Sequence, residues 1–134
     1  MKHLKKGKRY NLSFYKKKLD QVFSKFIRQR DADSHGRVRC FTCGRIYHWK
    51  EIQAGHYISR QHLNLRWAEY NVHPQCVGCN VFKKGNMDVY AIALQAKYGL
   101  DILQELQRQK QKIRKFTIGE LINLIDRYEE KLLP

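Results

Sequence analysis

Between residues 13 and 30 the apolar positions Leu19, Val22, Phe23, Phe26 and Ile27 recur every three or four residues, while Lys16, Lys17, Lys18, Lys25 and Arg28 take the other faces. That spacing predicts an amphipathic helix from Ser13 to about Arg30. Asp31 to Gly36 interrupts the pattern, and no helical period returns for fifty residues. Instead, β-prone residues around His56 to Ile58 and around Tyr70 to His73 flank a polar connection from Ser59 to Leu65, predicting a hairpin-like pair of short strands. Helical spacing resumes at Asn86 or Met87, where Val89, Ile92, Ala93 and Leu94 predict a helix to Tyr98 closed by Gly99. Ile102, Leu103 and Leu106 predict another from Leu100 to about Lys115. Thr117-x-x-Glu120 is a capping-box pattern and opens a last helix carrying Leu121, Ile122, Leu124, Ile125, Tyr128 and Leu132.

The elements add up to an α+β chain, mostly helical, with a loop-rich centre. Its 134 residues are within the range of one compact domain. Three segments are expected: residues 1–37, a basic arm and the amphipathic helix; residues 38–98, the central unit; residues 99–134, C-terminal helices that pack on the centre or expose a stripe to a second subunit. Residues 1–11 offer little to pack and read as a mobile arm that orders on a phosphate backbone.

All four cysteines fall in two pairs, Cys40-x-x-Cys43 and Cys76-x-x-Cys79. Each pair can form a tight knuckle that presents two sulfurs to one ion, so structural zinc with four thiolates is expected, organising residues 40 to 80. Two disulfides are the alternative, but the start Met1-Lys2-His3-Leu4-Lys5-Lys6 has no apolar stretch behind it, and no run reaches membrane-spanning length. The expectation is a reduced cytoplasmic protein.

Charge changes the picture of the partner. Lys and Arg number 27 against 12 Asp and Glu, for a net charge of +15, and the first 30 residues hold eleven of those cations against the single acid Asp20. Such a layout points to an anionic polymer. Arg60 and Arg66 in the connection, and Lys83 and Lys84 after the second knuckle, are further phosphate-binding candidates beside the cations of the first helix.

The cysteines enclose Ala54-Gly55-His56-Tyr57-Ile58-Ser59-Arg60, then Asn71, then Cys79-Asn80, with Lys83-Lys84-Gly85-Asn86 following. This arrangement resembles the HNH motif of the His-Me finger nucleases. The resemblance implies a zinc-stapled ββα-metal core flanked by helices, with His56 as general base, Asn71 bracing it and Asn80 binding a catalytic Mg²⁺ or Mn²⁺. One departure stands out: many HNH enzymes carry a metal-binding aspartate before the histidine, where this chain has Gly55. His73 ranks first as a replacement ligand, with His62 or Asp33 as others; alternatively His56 is itself a ligand and the base is another group. His3, His35 and His48 have no comparable context.

The run 54–60, with Leu65-Arg66, Asn71-Val72-His73-Pro74-Gln75-Cys76, Cys79-Asn80 and Gly85-Asn86, is more specifically similar to the phage NinG/Rap recombination proteins. That resemblance implies a structure-selective DNA endonuclease cutting branched intermediates such as Holliday junctions and D-loops, acting in the cytoplasm of a bacterial host. A homodimer would supply the two cuts a four-way junction needs, and phage or host recombination proteins are possible partners. The alternative is a non-catalytic zinc module that binds branched DNA and recruits other factors. A structural or RNA-binding zinc ribbon would leave the His56, Asn71 and Asn80 spacing unexplained.

Overall fold

The computed structural model describes residues 10–134; most of the expected basic arm, residues 1–9, lies outside them. The first helix, α1, runs Leu12–Arg30 and starts where the Asn11 side chain accepts a hydrogen bond from the Phe14 amide. Of the predicted stripe, Leu19, Val22, Phe23 and Ile27 are buried, Phe26 is half-buried, and Tyr15 joins them in the core. The partner is the last helix, α5, Ile118–Glu130, which contributes Leu121, Ile125 and Tyr128 to the same core. The ring of Tyr128 packs edge-on to Phe23 at 5.0 Å. The predicted capping box is formed, Thr117 Oγ accepting from the Glu120 amide and the Glu120 carboxylate from the Thr117 amide. The first and last segments of the chain therefore share one core, and most of the apolar stripe of α5 is spent inside it.

Two small antiparallel ribbons lie between them. Strands β1 (Arg37–Arg39) and β2 (Ile46–His48) form a hairpin whose turn carries Cys40 and Cys43. Strands β3 (Gln53–His56) and β4 (Val72–Gln75) pair with Gly55 opposite His73 and His56 opposite Val72. Both lie a few residues from their expected places: His56 ends its strand instead of starting it, and β4 begins where the second strand was expected to be ending. The Phe41 amide donates to the Pro74 carbonyl at 2.8 Å and ties the two ribbons together.

The connection from β3 to β4 holds a short helix, α2 (Leu63–Arg66). After β4 the chain makes one π-helical turn, Gly78–Phe82, and then a tight turn in which Lys84, Gly85 and Asn86 all have positive φ. Lys83 and Lys84 thus stand at that turn, ahead of the helix predicted from Asn86 or Met87. Helix α3 follows from Met87–Tyr98 and stops at Gly99, φ +101°. Helix α4 covers Ile102–Lys110 and ends five residues before its expected limit. Leu94, Leu106 and Tyr90 from these helices bury Ile58 and Leu65 of the β3–β4 connection, so α3 and α4 clamp the loop that leaves His56. The described residues form a mixed α+β fold with four short strands and mostly longer helices.

Candidate metal and nucleic-acid site

The two knuckles meet. Sγ atoms of Cys40, Cys43, Cys76 and Cys79 all lie within 4.8 Å of one another. Cys43 Sγ is 3.8 Å from Cys76 Sγ, as expected for one edge of a sulfur tetrahedron around an ion with bonds of about 2.3 Å. Backbone amides of Cys43 and Cys76 point at Cys40 Sγ, and that of Cys79 at Cys76 Sγ. Burial alone would raise the Cys40 thiol, yet the Thr42 hydroxyl and nearby amides hold it down to about 6. Cys43 is pushed up to about 12, first by burial and then by the neighbouring sulfurs. Without a cation Cys43 therefore keeps its proton; a bound one would compensate all four thiolates. The cluster can hold a metal ion such as zinc.

His56 opens onto a cleft of about 400 Å³ lined also by Asp20, Ser24, Arg60, Arg66 and Asn80. Its Nε2 lies 2.8 Å from the Arg66 carbonyl oxygen. A carbonyl only accepts, so Nε2 carries the hydrogen and the lone pair of the neutral ring sits on Nδ1. Burial lowers the ring's pKa below 6.5; the Arg66 carbonyl and the Asp20 carboxylate act against that, and the charges of Arg60 and Arg66 add to it. A neutral imidazole at pH 7 with its tautomer fixed can accept a proton at Nδ1.

Asn71 is wholly buried and holds the same loop at both ends. Its Oδ1 accepts from the Ile58 amide at 2.8 Å, and its Nδ2 donates to the carbonyls of Ile58 (3.0 Å) and Leu65 (3.1 Å). It braces the backbone two residues beyond His56 and one residue before Arg66, without touching the imidazole.

The structure does not bring His73 to the cleft. Opposite Gly55, it faces the other side of the ribbon from His56. It is wholly buried and stacks on Phe41 at 4.0 Å. Tyr90 donates its hydroxyl hydrogen to the Gly55 carbonyl at 2.7 Å, so His73 Nδ1 must donate to Tyr90 at 3.1 Å, while Nε2 accepts from Tyr98 at 2.7 Å. Both nitrogens are used, and burial followed by the charges of Arg30 and Lys97 lowers its pKa to about 3. The expected ligand is a core histidine. Nor does Asp33 stand free: its carboxylate holds the backbone and guanidinium of Arg37.

At the missing aspartate, a Cβ built on Gly55 would overlap Gln75 Oε1 and lie 3.0 Å from Asn80 Oδ1. Gln75 fills the space that a side chain at position 55 would take. Asn80 sits on the π-turn directly after Cys79, its Nδ2 donating to Gln53 Oε1 at 2.8 Å, which turns its oxygen toward Gly55.

Residues 1–133 match the family described as Bacteriophage Lambda NinG protein. The chain belongs to the NinG family. It is 33% identical over 121 residues to Protein ninG of Escherichia phage lambda, an alignment covering 90% of this chain and 56% of that protein. It is 32% identical over 121 residues to Protein ninG of Salmonella phage P22, covering 90% and 57%. This NinG-family chain thus spans a little over half the length of the curated relatives it matches. No solved structure matches it.

The candidate cations of this NinG-family chain divide sharply. Lys16, Lys17, Arg60 and Arg66 line a shallow groove that shares Asp20, Arg60 and Arg66 with the His56 cleft. Arg60 is 67% exposed and only 3.9 Å from Asp20, free to swing toward a phosphate. Arg66 is not: the Asp20 carboxylate grips it through Nε at 2.9 Å and Nη2 at 2.5 Å, and also accepts from Trp67 Nε1 at 3.0 Å. Lys18 faces α5 and pairs with Glu129 at 3.8 Å. Arg28 donates to the carbonyls of Ser24 and Trp49, and Lys25 lies over the Trp49 ring at 5.7 Å. Lys83 and Lys84 are exposed beside Asn80. Asp20 and Gln75 are the residues that sequence reasoning passed over. Asp20 stood out there only as the lone acid among eleven cations, and nothing in the spacing marked Gln75. No helix among the described residues is long and apolar enough to cross a membrane.

Proposed function

We propose that this chain is the nuclease-bearing part of a structure-selective DNA endonuclease of the HNH type, its β3–β4 ribbon and the turn into α3 acting as a ββα-metal unit. The observation that carries the reading is the His56 Nε2–Arg66 carbonyl bond, which leaves the Nδ1 lone pair for a water in a cleft that also holds Asn80. His56 would take a proton from that water as its oxygen attacks the phosphorus. The phosphorus–oxygen bond to the leaving strand breaks, and solvent returns a proton to the leaving oxygen. Asn80 Oδ1 would hold a divalent ion such as Mg²⁺ or Mn²⁺, which would supply charge compensation for the phosphate. Asn71 keeps the loop, and hence the base, in place. The four cysteines form a closed set with no position for water, so a zinc ion there is structural.

Branched DNA in a bacterial host's cytoplasm is the proposed substrate, bound as a homodimer. Cations on α1 and at Arg60, Lys83 and Lys84 give backbone affinity without base readout, which leaves shape to choose the site. A recruiting module without chemistry is the second reading, favoured by the absence of a carboxylate at position 55. Cleavage of a labelled four-way junction and its linear duplex, by wild type and His56→Ala with Mg²⁺, Mn²⁺ or EDTA, separates the two. Metal-dependent junction cutting lost in His56→Ala supports the nuclease; binding without cutting under every condition supports the recruiting module.

A further inference from the structure

Gln75 is wholly buried, yet its side-chain oxygen has no hydrogen-bond partner among the described residues. An amide flip does not repair this. Its Nε2 donates to the Gly85 carbonyl at 2.9 Å and to Thr42 Oγ1 at 3.2 Å, and the Gly85 carbonyl can only accept, so the nitrogen is fixed and Oε1 must point to Gly55. A buried amide oxygen left without a partner costs about 1–3 kcal/mol, so its orientation calls for a ligand. The second oxygen is already there: Asn80 Oδ1 is turned to the same spot, 3.0 Å from where a Cβ on Gly55 would stand.

We infer that Gln75 Oε1 and Asn80 Oδ1 together hold the divalent cation, the glutamine taking from β4 the place that a carboxylate at position 55 would take from β3. The inference rests on the cation-dependent reading above and adds to it a ligand and a consequence. Both donors are neutral oxygens, suited to Mg²⁺ or Mn²⁺ and poor for softer ions. With no carboxylate to neutralise it, the ion keeps its full charge for the phosphate. Its hold on the free protein would be correspondingly weak. Gly55 is required because any side chain there would collide with the Gln75 oxygen.

The test is Mn²⁺ titration of the zinc-loaded 134-residue chain, followed by paramagnetic broadening in ¹H–¹⁵N spectra, which reads weak binding site by site. The side-chain amides of Gln75 and Asn80 and the backbone amide of Gly55 should broaden first. Gln75→Ala should weaken the titration about tenfold, the scale of one lost ligand, and Gly55→Asp/Gln75→Ala should restore it or tighten it. Zinc content checks that each variant is folded. Should Gln75→Ala lose its zinc, the wild-type broadening map decides alone. A titration unchanged in folded Gln75→Ala overturns the inference and leaves the nuclease reading standing. No localised broadening in the wild type, the orphan oxygen then being met by water, overturns the inference and the Asn80 cation site with it.

Discussion

His56 Nε2 and the carbonyl oxygen of Arg66, ten residues apart in sequence, sit 2.8 Å from each other and fix which imidazole nitrogen is basic. Because burial is the main cause holding the His56 pKa below 6.5, the ring is neutral and competent at neutral pH. Cleavage should rise with pH through the His56 pKa, so the acid limb of the rate profile should have its midpoint below 6.5 and a plateau by pH 7. His56→Ala should lower the rate by about 10²–10⁴ while junction binding persists. A limb centred well above 7 would assign the base to another group.

Asp20 acts on that pair at one remove. Its carboxylate clamps the Arg66 guanidinium and the Trp67 indole, and so fixes the backbone whose carbonyl aligns His56. Asp20→Ala leaves a half-buried guanidinium without its partner and should destabilise the fold by about 1–3 kcal/mol in urea unfolding. It should also remove a charge that raises the His56 pKa, moving the imidazole titration in NMR spectra to lower pH. An unmoved titration would mean that Asp20 is a structural anchor only.

His73 makes a contrasting prediction. Its pKa falls from 6.5 in the unfolded chain to about 3 in the folded one, so the folded state binds fewer protons between those values. The stability it contributes is whole above pH 6.5 and is lost as pH falls from there toward 3. His73→Ala should cost about 2–4 kcal/mol at pH 7 through the cavity and the lost bonds to Tyr90 and Tyr98, and should flatten that part of the pH dependence. Mn²⁺ binding should be unaffected; a loss in a variant that stays folded would return His73 to the ligand set.

The cations should sort by what they touch. Alanine at Lys16, Lys17 or Arg60 should weaken binding to every DNA alike and reduce the slope of log affinity against log salt by about one for each phosphate contact removed. Lys18→Ala and Arg28→Ala, whose charges are engaged by Glu129 and by backbone carbonyls, should leave that slope nearly unchanged. Filter-binding isotherms over a salt series distinguish the two groups.

The helices were legible because their signals are local. The stripe Leu19 to Ile27 and the Thr117–Glu120 box each specify an element without reference to the rest of the chain, and α1 and α5 formed where the spacing put them. Pairing of the cysteines was legible for a similar reason, two short knuckles that need only one fold-back. The cleft was harder. In a four-residue strand a shift of one residue in register decides what faces what, and the pairing of Gly55 with His73 puts the imidazole of His73 on the face away from His56 and into the core. Helix α4 ended early because residues after Lys110 have no apolar stripe to bury. Gln75 entered only as one residue of the run that resembles the NinG/Rap proteins and gave no chemical signal of its own, since a neutral amide beside a proline and a cysteine reads as filler until a glycine is found across the ribbon.

Cys79 and Asn80 are consecutive residues of one π-turn, the first facing the sulfur cluster and the second the His56 cleft. A single peptide bond therefore couples the cluster that can hold a structural metal to the position proposed to hold a working one. A strong chelator would silence the protein twice, once by removing the working ion within seconds and once, more slowly, by letting the turn collapse. Restoring Mg²⁺ after brief exposure should bring activity back, whereas after long exposure only zinc and Mg²⁺ together should do so. Recovery, and not inhibition, is what tells the two ions apart.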